Sequence, residues 1–122
     1  MKIFGHPWIE SRAFYGVDSI SSIKQTPPNA LLQLKELSVS LSLAKYCQEN
    51  GLNYSIEVEN IKEAIFSNLL GAKFILCSKK LAIELMPIAQ NYLFDTEVLA
   101  YVSDENEIEE LAKQGVDGVF FT

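Results

Sequence analysis

The residues best suited to chemistry are the only histidine, His6, and one of the two cysteines, Cys77. A thiol next to an imidazole is a nucleophile with its own general base, and a carboxylate such as Glu57 can orient the ring. Together these three residues predict an enzyme of the lyase or hydrolase type that acts on a small metabolite. The structural alternative makes Cys77 a small buried residue at a strand end and His6 the cap of a turn.

Two other groups of polar residues have spacings that suit chemistry. Glu57 and Glu59 lie two positions apart near the end of a predicted strand, so they share one face and can do acid–base work. We favour the simpler interpretation, a solvated pair at a strand end. The segment Ser78-Lys79-Lys80 can hold a phosphate with backbone N–H groups at a helix start, but Ser78 is also an ordinary N-cap residue.

These residues are positioned by strands and helices that the second half of the chain predicts clearly. Alternating or continuous apolar side chains predict strands over 53–58, 73–77, 97–102 and 118–122. Helical spacing predicts helices over 60–70, from Leu81 to Leu93, and from an N-cap at Ser103 or Asp104 to Gly115. Pro87 is expected to kink or break the second helix.

The first half of the chain is less regular. Its pattern predicts strands over 2–6 and 30–34 and a helix over 38–50. A short helix over 19–25, capped by Asp18, is expected before a loop at Pro27-Pro28. The segment AFYGV, residues 13–17, can form an additional short strand.

Strands that alternate with helices through tight connections predict a single α/β domain over residues 1–122, with a parallel sheet of five or six strands. Two architectures fit this pattern, a half-barrel-like sheet and an open doubly wound sheet. A half-barrel leaves a sheet edge and an apolar face uncovered, so it predicts a homodimer.

Ligands of parallel α/β proteins bind at the carboxyl ends of the strands, and that rule defines a set of candidate residues. The residues that follow the predicted strands are His6, Pro7, Trp8, Glu57, Glu59, Cys77, Ser78, Ser103 and Asp104. The single histidine and the single tryptophan both fall in this set. The acidic run from Asp104 to Glu110 is most simply the solvated start of a helix, where the helix dipole favours negative charge.

The composition excludes several classes of function. Sixteen acidic against ten basic residues give a net charge of −6, which disfavours binding to nucleic acid. One histidine and two distant cysteines do not predict a metal site, and no motif predicts a cofactor. The N-terminal segment MKIFGHPWIESR lacks the apolar core of a signal peptide, and no apolar run is long enough to span a membrane. We therefore expect a cytoplasmic protein with reduced thiols.

Residues 53–122 resemble consecutive strand–helix units of TIM-barrel enzymes that handle phosphorylated substrates. The segments VENIKEAIFSNLLGAKFILCS and VSDENEIEELAKQGVDGVFFT are similar to two units of the keto-deoxy-phosphogluconate aldolase type. The second segment also resembles the C-terminal part of glycerophosphodiester phosphodiesterases, which often end in a Gly-Val-Asp-Gly pattern like that of Gly115 to Gly118. The resemblance implies an active site at the carboxyl ends of the strands.

The catalytic residues of both families are absent from the matching positions. The aldolase resemblance implies a Schiff-base lysine in a strand where this chain has Val119, Phe120 and Phe121. The phosphodiesterase resemblance implies carboxylates that bind a hard cation, where this chain has Leu76, Cys77 and Ser78. A complete eight-stranded barrel also needs roughly 200 residues.

We therefore expect a non-catalytic protein that acts by self-association or by binding a partner or a small anionic ligand. The residues predicted to bind that ligand are Trp8, Glu59, Ser78, Ser103 and Asp104. An enzyme that uses His6, Glu57 and Cys77 is the alternative.

Overall fold

A computed structural model describes all 122 residues, which form seven parallel strands and five helices. The strands are β1 (Lys2–Phe4), β2 (Phe14–Gly16), β3 (Leu31–Leu34), β4 (Tyr54–Glu57), β5 (Phe74–Cys77), β6 (Glu97–Val102) and β7 (Gly118–Phe121). The helices are α1 (Ile20–Lys24), α2 (Leu37–Glu49), α3 (Ile61–Leu69), α4 (Lys79–Asn91) and α5 (Glu107–Lys113).

The strands are arranged in the order β1-β7-β6-β5-β4-β3-β2, and every neighbouring pair is parallel. From β2 onward each strand leads through one helix to the strand beside it. The prediction of five or six strands was wrong, because the segment AFYGV does contribute the short strand β2. The sheet therefore has seven strands.

All five helices pack on one face of the sheet. The large core cluster contains buried side chains from each helix together with the outward-facing side chains of the strands. Its helix members include Ile23 of α1, Ala44 of α2, Ala64 of α3, Leu85 of α4 and Leu111 of α5. A doubly wound sheet has helices on both faces and a reversal in strand order. The doubly wound alternative was therefore wrong, and the half-barrel prediction is confirmed.

The concave face of the sheet is filled by strand side chains alone. A second buried cluster consists of Phe4, Leu31, Phe74, Leu76 and Leu99. Partly buried rings of Phe14, Tyr101 and Phe120 pack against it. No helix contributes to this cluster, so the concave face must bury its apolar side chains against one another.

The sheet curls until its two edge strands face each other. The rings of Phe4 on β1 and Phe14 on β2 have centroids 5.0 Å apart, although these strands lie at opposite edges. In a flat sheet, six strand spacings of about 4.8 Å would separate them by roughly 29 Å. No backbone ladder pairs β1 with β2. The expected uncovered apolar face is therefore absent, whereas the two sheet edges have no backbone partner, as expected for a half-barrel.

Two expected helix caps and the expected break of α4 at Pro87 were wrong. Ser19, not Asp18, caps α1, because its side chain accepts the Ser22 N–H. Helix α5 begins at Glu107 without a side-chain cap, and Asp104 instead accepts the N–H of Asn106 in the preceding turn.

Helix α4 runs unbroken from Lys79 to Asn91 with Pro87 inside it. Proline removes one N–H donor from the helix. The buried side chains of Leu85, Met86 and Ala89 lie on both sides of it and hold the helix against the sheet.

The amino end of the sheet is joined by polar contacts that are structural. The carboxylate of Asp117 accepts the N–H of Val98 at 2.8 Å, which ties the chain before β7 to β6. Lys2 bonds to Glu97 across the same end, with 2.7 Å between Lys2 Nζ and Glu97 Oε2. Burial raises the pKa of the Asp117 carboxyl, and the nearby Glu97 raises it further against the lowering effect of the Val98 hydrogen bond.

The variant Gly118→Ala tests the packing of the concave face. A Cβ at Gly118 would lie 2.6 Å from the backbone oxygen of Lys2 and 2.7 Å from Leu99 Cδ2. We expect a loss of about 1–3 kcal/mol in unfolding free energy, measured by chemical denaturation. Gly16→Ala is the matched control, because a Cβ there meets nothing within 4 Å. Equal denaturation midpoints for Gly118→Ala and Gly16→Ala would contradict the close packing around Gly118.

The variant Asp117→Asn tests the buried carboxyl. The asparagine retains an acceptor for the Val98 N–H but cannot ionise. Because the folded pKa of Asp117 is raised, the folded state holds its proton longer than the unfolded state, so stability falls as pH rises above about 4. We expect the wild type to lose stability relative to Asp117→Asn over that rise. The exposed Asp95→Asn is the control, because it removes a carboxyl that is not buried. If the unfolding free energies of the wild type and Asp117→Asn change in parallel with pH, the pKa of Asp117 is not raised by folding.

Candidate functional site

The carboxyl end of the half-barrel holds a hydrogen-bonded pair formed by Glu57 and Tyr101. The Tyr101 hydroxyl donates to Glu57 Oε1 at 2.6 Å. Glu57 ends β4 and Tyr101 lies near the end of β6, with β5 between them in the sheet. The pair therefore joins two strands that are not neighbours, across the concave face.

Strand alternation places both residues at this point. Ser55 and Glu57 share the concave face of β4, and Leu99 and Tyr101 share that of β6. Ser55 and Leu99 are fully buried, while Glu57 and Tyr101 are each half-buried. The pair thus forms a polar layer above the apolar cluster of the concave face, at the mouth of the half-barrel.

The environment fixes which atom of the pair is available to a ligand. Burial raises the pKa of Tyr101, and the hydrogen bond to Glu57 raises it further, so the phenol stays protonated and donating. Glu57 uses Oε1 for this bond, and its Oε2 accepts no hydrogen bond from the protein. Oε2 is also not among the buried unpaired atoms, so it faces solvent at the mouth.

A cleft of about 360 Å³ opens beside Glu57. Its charged lining residues are Asp18, Lys35 and Glu57, and its remaining lining residues are Gly16, Val17, Gln33 and Leu34. Gly16 contributes no side chain, and a Cβ there would meet nothing within 4 Å, so this wall of the cleft is open. The cleft presents two carboxylates, one ammonium group and one amide.

Cys77 lies on the opposite face of the sheet from this cleft. Its side chain is 2% exposed within the large core cluster, and its Sγ lies 3.8 Å from the Leu99 carbonyl oxygen. Burial raises the pKa of the Cys77 thiol to about 12. The thiol is therefore neutral at physiological pH and closed to solvent, as the structural alternative predicts.

His6 lies in the loop after β1 and contacts the turn that precedes α5. Its Nε2 lies 2.9 Å from Glu105 Oε2, and its Nδ1 accepts the Trp8 N–H at 3.1 Å. Because Nδ1 accepts, Nε2 carries the proton and donates to Glu105. Both ring nitrogens are occupied, and neither is bonded to Cys77 or Glu57. The structure does not assemble the predicted trio.

The residues predicted to bind ligand do not line the cleft either. Ser78 accepts the Leu81 N–H as the cap of α4, and Asp104 is engaged with Asn106. Glu59 and Ser103 are exposed, and Trp8 is 85% exposed on the loop after β1. The rule that ligands bind after strand ends found Glu57. It missed Asp18, Gln33, Lys35 and Tyr101, two of which lie within strands.

Tyr101 had a detectable signal in the sequence. Strand 97–102 places Tyr101 on the same face as Leu99, and Glu57 lies on the polar face of the alternating strand 53–58. The alternation of side chains along a strand shows which residues share a face, but not which face is concave. The contact between Glu57 and Tyr101 could therefore not be predicted.

No family model matches the chain, and no curated protein matches it. The resemblance to TIM-barrel enzymes therefore stays a prediction. No group of three or more histidine, cysteine, aspartate or glutamate side chains is placed to hold a metal ion. None of the helices combines the length and apolar character needed to cross a bilayer.

Thiol reactivity tests the placement of the cysteines. Burial raises the pKa of Cys47 to about 11 and that of Cys77 to about 12, and neither side chain is open to solvent. We expect both thiols of the folded protein to react with an aromatic disulfide reagent at least about a hundredfold more slowly than free cysteine. Both should react at once in strong guanidinium chloride. A thiol that reacts rapidly in the folded protein would restore the nucleophile hypothesis.

Proposed function

We propose that this protein binds a small molecule without catalysis, in the cleft at the mouth of the half-barrel. The observation that carries the proposal is the Glu57 carboxylate, which lines the cleft and is held by Tyr101 through one oxygen, while the other accepts no hydrogen bond from the protein. A carboxylate fixed on a rigid strand is a preorganised acceptor, so it loses little freedom when a ligand binds.

The lining indicates the chemical class of the ligand. Glu57 and Asp18 suit an amino group, while Lys35 suits a carboxylate. Two carboxylates against one ammonium group disfavour a simple anion, which is the ligand that the sequence predicts. A cleft of about 360 Å³ is at the small end of ligand sites. We infer a small zwitterion of amino-acid size, bound through its ammonium group to Glu57.

Two observations support binding without catalysis. The Cys77 thiol is buried on the outer face, away from the cleft. His6 has both nitrogens occupied by Glu105 and Trp8. The nucleophile and the base that the sequence offered are thus engaged in structural contacts, so the catalytic roles predicted for them have no geometric support.

A second candidate function is proton transfer by the Glu57–Tyr101 pair. A carboxylate and a phenol at 2.6 Å form an acid–base pair of the kind that enzymes use. In this version of the enzyme hypothesis, Glu57 is the base and Tyr101 orients it. The candidate requires chemical turnover of a bound ligand, which separates it from simple binding.

Calorimetry with Glu57→Gln tests the proposal. A panel of amino acids and small amines is compared with organic monoanions and dianions. We expect a zwitterion to bind, and Glu57→Gln to weaken its binding by about tenfold or more, because a charged acceptor becomes neutral while the bond to Tyr101 is retained.

Glu59→Gln is the matched control for this experiment. It removes the same charge two residues further on, outside the cleft, and should leave the affinity unchanged. Equal binding by Glu57→Gln and wild type, or binding of organic anions alone, would contradict the proposed site. Conversion of the bound ligand to a product, followed by mass spectrometry, would favour the second candidate.

A further inference from the structure

A second recess lies between the loop that follows β1 and helix α5, and we call it the Trp8 recess. It has a volume of about 400 Å³. Its apolar lining residues are Ile3, Trp8, Ile9 and Ile108. None of the residues that line it also lines the cleft at Glu57. The Trp8 recess is therefore separate from the site of the proposed function, and an inference about it does not rest on that function.

His6 fixes the position of Trp8 in this recess. The Trp8 N–H donates to His6 Nδ1 at 3.1 Å, and the Ile9 N–H donates to the His6 carbonyl oxygen at 3.1 Å. His6 Nε2 in turn lies 2.9 Å from Glu105 Oε2, which ties this turn to the chain before α5. The imidazole and indole rings meet edge to face, with centroids 5.5 Å apart. Because the turn is held in this way, Trp8 loses little freedom when a ligand binds.

The indole of Trp8 contributes little to the packing of the fold. Trp8 is 85% exposed and Ile9 is 46% exposed. Neither side chain packs against the two buried clusters of the protein. Tryptophan has a large apolar surface and a face with negative electrostatic potential. Since the fold leaves this surface in water, it is available to a ligand.

The Trp8 recess has a negative charge. Its charged lining residues include Glu105 and Glu109, and no lysine or arginine lines it. The surrounding residues 104–110 carry five carboxylates and no basic side chain. Lys113 pairs with Glu109 at 3.3 Å, but both side chains are exposed, and such a pair is weak. This charge attracts cations and repels anions.

We propose that the Trp8 recess binds an organic cation of the alkylammonium class. An indole face attracts a cation that lies within about 6 Å of the ring, and tryptophan does so more strongly than the other aromatic residues. The carboxylates of Glu105 and Glu109 balance the positive charge, while the isoleucines of the recess contact the alkyl groups. A bare metal ion does not fit, because no three ligating side chains are grouped there.

The proposal explains one residue that the sequence singles out. Trp8 is predicted from the sequence to bind a small anionic ligand, yet it does not line the cleft at Glu57. The Trp8 recess keeps Trp8 as a ligand-binding residue, but its carboxylates reverse the charge of the expected ligand.

Tryptophan fluorescence tests this site directly, because Trp8 is the only tryptophan of the chain. The full chain is titrated with choline and with dimethylbutanol, which is the uncharged carbon isostere of choline. We expect choline to change the emission of Trp8 saturably, and dimethylbutanol to bind at least about tenfold more weakly, because it lacks the charge. A short peptide with one trimethylated lysine is titrated in parallel. Tighter binding of choline or of the peptide shows whether a free cation or a modified side chain is the better ligand.

Two pairs of variants locate the cation. Glu109→Gln should weaken choline binding by about threefold or more, since it removes a carboxylate of the recess. Glu107→Gln is the matched control, because it removes the same charge from α5 but does not line the recess. Calorimetry should show a loss of about tenfold for Trp8→Leu and a smaller loss for Trp8→Phe, which retains an aromatic face. Circular dichroism checks that these variants at an exposed position remain folded.

Three results would overturn the proposal. The first is equal binding of choline and dimethylbutanol, or no saturable fluorescence change with choline or the peptide. The second is equal choline affinity in Glu109→Gln and Glu107→Gln. The third is loss of choline binding in Glu57→Gln, which would place the cation in the cleft at the mouth of the half-barrel. Failure of zwitterions to bind at Glu57 would contradict the proposed function but leave the Trp8 recess unaffected.

Discussion

The structure depends on the concave face of the sheet burying its own side chains. Five helices cover the outer face, and nothing but strand side chains covers the inner one. Phe4, Phe14, Phe74 and Leu99 can leave water only if the sheet curls and brings its edges together. The loop over residues 5–13 connects β1 to β2 without a helix, and the rings of Phe4 and Phe14 meet between these two edge strands.

The packing of the concave face also determines where a ligand can bind. The lower part of the concave face is occupied by aromatic and leucine side chains. The first layer with polar groups is the one formed by Glu57 and Tyr101, and it opens only at the carboxyl end. At the amino end, Asp117, Lys2 and Glu97 are engaged with each other or with the backbone. The packing of the concave face thus leaves the carboxyl end of the sheet for ligand binding, while the polar contacts at the amino end stabilise the fold.

The sequence predicted most elements but not the contacts between them. Strands such as 97–102 and helices such as 60–70 follow from local periodicity and were found within one or two residues. The strand β2 was uncertain because three residues carry little periodic signal. The hydrogen bond from His6 to Glu105 joins residues 99 positions apart, and local pattern contains no information about it. Cys77 lies at a strand end as expected, but whether it faces the concave or the outer side depends on how the whole sheet curls.

The claim that the Glu57 end of the half-barrel is a ligand site can be tested most directly by nuclear magnetic resonance. The backbone amide signals of labelled protein are followed while a zwitterionic amino acid is added. The account predicts saturable shifts at Gly16, Gln33, Lys35 and Glu57, with little change along α2 and α3. Shifts that cluster around Trp8, or no saturable shift for any zwitterion, would contradict it.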